Sequence, residues 1–73
     1  MAHKVGDKVV FVGREKEIGK YHADFAQLMY AIGTVVEAEG SAYEVLFEGF
    51  HAIATPNDDS IFCCYDTELK SAP

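Results

Sequence analysis

The side chains able to do chemistry are few, and two of them are neighbours: Cys63 and Cys64 stand side by side in "SIFCCYDTEL". Thiolates bind zinc and carry redox chemistry, and the histidines His3, His22 and His51 could ligate a metal or move a proton. Asp58 and Asp59 form a carboxylate pair of the kind that holds a divalent ion. The spacing argues against each of these sites. Successive side chains of a strand point to opposite faces, so Cys63 and Cys64 cannot reach one ion together. A structural zinc site wants cysteines two to four residues apart with two further ligands, and the histidines here are scattered. A disulfide between chain neighbours closes a strained ring. Asp58-Asp59 follows Pro56-Asn57 and reads as turn chemistry, and His51 has no evident orienting partner. "GREKEIG" is neither a phosphate-binding loop nor a dinucleotide fingerprint. The expectation is therefore no catalytic, cofactor or metal residue, with one cysteine filling the core as a small hydrophobe and the other facing outward.

The elements that would position these residues are short strands. "KVVFVG", ending at Gly13, is rich in β-branched and aromatic residues, and "GTVVEAE" (33–39) follows the same pattern. "AYEVLFE" (42–48) alternates, with Tyr43, Val45 and Phe47 on one face and Glu44, Leu46 and Glu48 on the other. Gly40 gives a tight hairpin between the last two, and "SIFCCY" (60–65) is a fourth strand. Val9, Phe11, Val36, Tyr43, Val45, Phe47 and Leu69 make up the expected core. One stretch departs from the β pattern. In "ADFAQLMYAIG", Phe25, Leu28, Met29 and Ile32 recur at helical spacing, with Asp24 as the cap and Gly33 just past the end, which predicts a short amphipathic helix over 24–32.

With 73 residues the chain makes one domain (1–73), and a chain this short buries only about 60% of the surface its unfolded form exposes. The plain role of the 24–32 segment is a lid on one open end of the barrel, and the sharper one a subunit interface or peptide groove. Such an interior cannot hide a barrel core and also every one of Phe25, Leu28, Met29, Tyr30 and Ile32, so these five are the interface candidates of a homo-oligomer. The charge is lopsided: residues 1–36 carry five Lys/Arg and four Asp/Glu, and residues 37–73 one Lys and eight Asp/Glu. A net charge of −6 argues against double-stranded nucleic acid as a partner and suits either a solvated face or a docking face for a basic protein. No apolar run reaches the roughly 18 residues of a membrane span, and the start lacks the apolar stretch of a secretory signal, so the expected location is cytoplasmic.

The order "VGDKVVFVG", "IGTVVEAEGSAYEVLFEG", "FCCYDTELKSA" resembles the small SH3-like barrels of bacterial, phage and mobile-element proteins, whose functions are mostly unestablished. That resemblance implies a mainly all-β fold: a small SH3-like barrel of four to five antiparallel strands, with one short helix in the long first loop. Phe47 stands where such barrels often have Trp, and the 24–32 stretch is more regular than their usual loop. A remoter similarity is to the plasmid-encoded type II dihydrofolate reductase, whose pore strand reads Val-Gln-Ile-Tyr. The corresponding strand here is Ile61-Phe62-Cys63-Cys64-Tyr65, without the glutamine, so the resemblance does not carry that activity over. The reading that follows is a non-catalytic interaction or assembly module. The alternatives are a small oligomeric enzyme with its site at a subunit interface, and an acidic decoy for a basic nucleic-acid-binding protein.

Overall fold

The computed structural model describes residues 3–13, 25–51 and 60–73. Five antiparallel strands form one sheet: β1 (Lys8–Phe11), β2 (Ile32–Glu39), β3 (Ala42–Leu46), β4 (Ile61–Tyr65) and β5 (Leu69–Ser71). Their order across the sheet is β4-β3-β2-β1-β5, so two strands consecutive in the chain lie at opposite edges. A single 3-10 turn, Asp66–Glu68, joins them. In a flat sheet of five strands those edges would stand about 19 Å apart. The four peptide steps from Tyr65 to Leu69 span at most about 14 Å. The sheet must therefore curl, although among the described residues β4 and β5 do not pair and it stays open.

Backbone hydrogen bonds fasten the turn at both ends. Asp66 N–H donates to the Ser41 carbonyl at 3.0 Å, and Val12 N–H donates to the Glu68 carbonyl at 2.8 Å. The buried Glu68 carboxylate also accepts from Tyr65 N–H at 2.8 Å. The turn thus straps the β2–β3 hairpin to the end of β1. That hairpin turns on Gly40 and Ser41, with positive φ confined to Gly40 (61°), as a type II′ turn requires.

The inner face holds Val9, Phe11, Tyr43, Val45, Phe47 and Leu69, six of the seven expected core residues. The seventh is corrected. Val35 is buried and Val36 only half-buried, because the register shifts between Val35 and Glu37: Val35 faces Val45, but Glu37 faces Glu44. Val36 is the extra residue of a β-bulge, which reverses the inward and outward parity along β2.

The helix over 24–32 is also corrected. Phe25 and Ala26 are helical, residues 27–30 form a turn, Ile32 opens β2, and Asp24 lies outside the described residues. Competition from β1 explains the difference: Tyr30 N–H donates to the Phe11 carbonyl (2.8 Å) and Phe11 N–H to that of Ala31 (3.1 Å). Tyr30 turns the chain into the sheet at a φ of 62°, which ends any right-handed helix. Gly33, expected as a helix stop, is buried inside β2. A Cβ there would stand 2.6 Å from Val45 Cγ1 and 2.9 Å from the Leu46 carbonyl, so only glycine lets β3 approach this closely.

Phe25 and Leu28 close the interior. The Phe25 ring lies 5.9 Å from Phe11 on β1 and 6.1 Å from Phe62 on β4, and Phe62 lies 6.0 Å from Phe47. One segment therefore bridges strands on either side of the curl, at spacings where edge-to-face and tilted rings attract.

Candidate interaction surface

The alternation of β4 (exposed, buried, exposed, buried, exposed) decides the two cysteines. Cys64 points inward and is fully buried, and Cys63 points outward. Neither forms a disulfide. Cys64 faces Tyr43 across the ladder and Cys63 faces Glu44, so the two thiols lie on opposite sides of the sheet. Among the described residues no three His, Cys, Asp or Glu side chains converge as metal ligands. His51 is exposed, and its carbonyl accepts from Gln27 Nε2 at 2.9 Å. His22, Asp58 and Asp59 lie outside the described residues.

His3 behaves differently from the other candidates. It is buried against Tyr43, with ring centroids 5.4 Å apart in an edge-on arrangement and its backbone N–H donating to Tyr43 Oη at 3.3 Å. Sequence reasoning missed this contact, which joins residues 40 positions apart and has no local signal. Glu68 was also missed, although its place three residues after Tyr65 is the spacing at which a glutamate reaches back to a capping backbone N–H.

Of the five interface candidates, Phe25 and Leu28 belong to the core, and Met29, Tyr30 and Ile32 are 41%, 73% and 58% exposed. Met29 leans over Gly13, and Tyr30 projects from the turn that its own left-handed backbone creates. Ile32 carries the apolar surface onto the outer face of the sheet.

That outer face is ordered in rows set by the register. Lys70, Val10 and Ile32 form the first row, and Lys8, Thr34, Leu46 and Ile61 the second. Glu37, Glu44 and Cys63 form the third, and Glu39, Ala42 and Tyr65 the fourth. Lysines therefore mark one corner, aliphatic side chains run through the middle, and three glutamates hold the other end. The Lys8 ammonium donates to Thr34 Oγ1, a neutral acceptor, at 2.6 Å. Around the third and fourth rows opens a groove of about 250 Å³ lined by Glu37, Glu39, Ala42, Tyr43, Glu44 and Cys63.

Comparison of the chain with protein-family models, curated proteins and solved structures finds no match. Among the described residues no helix is long and apolar enough to cross a membrane.

Proposed function

We propose that the chain is a non-catalytic, cytoplasmic interaction and assembly module with an SH3-like barrel architecture, which self-associates through the exposed part of residues 25–32. The barrel reading is supported by a curled five-stranded sheet whose edge strands are joined by one 3-10 turn. The module reading is carried by one observation: Met29, Tyr30 and Ile32 stay exposed within four residues, while their neighbours Phe25 and Leu28 fill the interior. Exposed apolar patches of this kind mark interaction surfaces. A second reading, capture of a basic partner, is favoured by the groove beside Glu37, Glu39 and Glu44.

Light scattering across a concentration series tests the proposal. Leu28 is fully buried and must be left alone, so the informative variant is Met29→Lys with Tyr30→Asn, the asparagine suiting the left-handed position. The parent is expected to associate and the variant to run as a folded monomer. A parent that stays monomeric at high concentration but binds a lysine-rich peptide in a salt-sensitive way would replace this reading with the second.

A further inference from the structure

We infer that the outer face of β1 to β4 receives a second copy of this chain across a two-fold axis, with Lys8 of each copy set against the Glu37 and Glu44 row of the other. The inference rests on the self-association proposed above, shares Ile32 with the surface named there, and extends the contact from Met29 and Tyr30 onto the sheet with a register and a charge pairing.

A two-fold contact is self-complementary: whatever one copy offers at one end, its partner must accept at the other. Few surfaces meet that condition by chance, and this one does. Lys8 and Lys70 stand at the β1 and β5 corner, Glu37 and Glu44 stand across the bulge in the third row, and all four are exposed. Between them lie Ile32, Thr34, Leu46 and Ile61, of which Ile32 is 58% and Ile61 39% exposed.

An axis passing between Lys8 and Glu37 runs beside Thr34 and Leu46. It sets these two near their own copies, brings Ile32 of one copy towards Ile61 of the other, and satisfies both ends with opposite charge. Most other face-to-face arrangements would bring glutamates onto glutamates. For a chain carrying a net charge of −6, like-charge contact is the chief obstacle to association, so the lysine corner selects the orientation. The Lys8 ammonium is held by a hydroxyl within its own chain and so keeps its charge available to a carboxylate from outside.

The bulge contributes directly. Were Val36 paired in regular alternation instead of bulged, it would stand opposite Glu44, and Glu37 would fall opposite Tyr43 on the inner face. The irregularity that displaces one core residue thus builds the acidic end of the surface. The face is the convex side of a curled sheet, which limits the flat contact, and the expected dissociation constant lies at the weak end of specific interfaces, in the micromolar range.

Charge reversal followed by mixing is the test. Lys8→Glu should weaken self-association by about tenfold or more, because both symmetry-related contacts become repulsive, and Glu37→Lys with Glu44→Lys should do the same. An equimolar mixture of the two reversed proteins should associate at least as well as the parent, since both ends of the mixed pair are then complementary. All the altered side chains point to solvent, and circular dichroism is the check that each variant folds. Should either reversed protein unfold, carbodiimide cross-linking of isotope-labelled with unlabelled parent replaces it, the expected product being a Lys8 to Glu37 or Glu44 link between unlike copies. A parent dimer unmoved by either reversal, or lacking that mixed link, overturns this face and leaves self-association intact. A parent that is monomeric to about 1 mM, where even a weak specific contact forms, removes both.

Discussion

On the inner face of the sheet, Val9, Phe11, Val45 and Phe47 are completely buried. On the outer face the residues beside them in sequence, Lys8, Val10, Glu44 and Leu46, run from half-buried to exposed. The same backbone and hydrogen bonds serve both faces, so the contrast isolates what side chains do. Inside, shape decides: four phenylalanine rings in sequence of contact leave little room, and one position, Gly33, tolerates no Cβ at all. Outside, charge decides: lysines at one corner and glutamates at the other flank an aliphatic strip. An inner-face change should therefore register in stability, and an outer-face change in association.

The sharpest break in this comparison is expected at Phe47. Its ring is fully buried, stacks edge-on with Phe62, and would leave a cavity that the surrounding sheet cannot fill. Phe47→Ala should cost about 3 to 5 kcal/mol, which is most of the stability of a domain this small. Thermal or urea unfolding measures it. A melting temperature within a degree or two of the parent would mean that the ring does not hold the curl together.

A smaller effect separates two neighbours of the same residue type. Val35 is inside and Val36 is the extra residue of the bulge, so Val35→Ala should lose about 2 kcal/mol, from two buried methyl groups and the space they leave, and Val36→Ala less than half of that. Equal losses, or a larger loss at Val36, would place the bulge elsewhere in β2.

Val36 also shows where sequence reasoning stops. Period-two alternation sorts Tyr43, Val45 and Phe47 from Glu44 and Leu46 and puts Cys63 and Cys64 on opposite faces without saying which is inward, because in β3 and β4 each inward residue is followed by an outward one. In β2 the two valines are chemically identical, and which one turns inward depends on pairing with β3, set by residues outside the strand. The helix fails for a related reason. Phe25 and Leu28 do pack together into the core, as a lid would, but Tyr30 and Ala31 are claimed by hydrogen bonds to Phe11 of β1, some twenty residues earlier, and Ile32 is paired with Val10. A glycine after an apolar run reads equally as a helix stop or as a strand position under close approach, and only the arrival of Val45 distinguishes them. The outer-face rows were illegible for the same reason: Lys8 and Glu37 share a surface only once the register is known.

The least perturbing measurement concerns the cysteines, which carry the inner and outer contrast on adjacent residues. Cys63 is exposed on the outer face and Cys64 has no exposed surface, so in the native protein a thiol reagent such as Ellman's should titrate one sulfur per chain promptly. The second should react only as fast as the core opens, and immediately in denaturant, because a buried thiol must be uncovered before its thiolate can attack. Cys63→Ser should remove the prompt phase while changing stability by no more than about 0.5 kcal/mol, the usual range for an outward surface position. The slow phase that remains then reports opening of the strand that carries Phe62 and Cys64, and it should accelerate in Phe47→Ala, whose lost ring packs against Phe62. Two sulfurs reacting at one rate in the native protein would mean that β4 does not present alternate faces to core and solvent, and the inner and outer division would fail at that edge of the sheet.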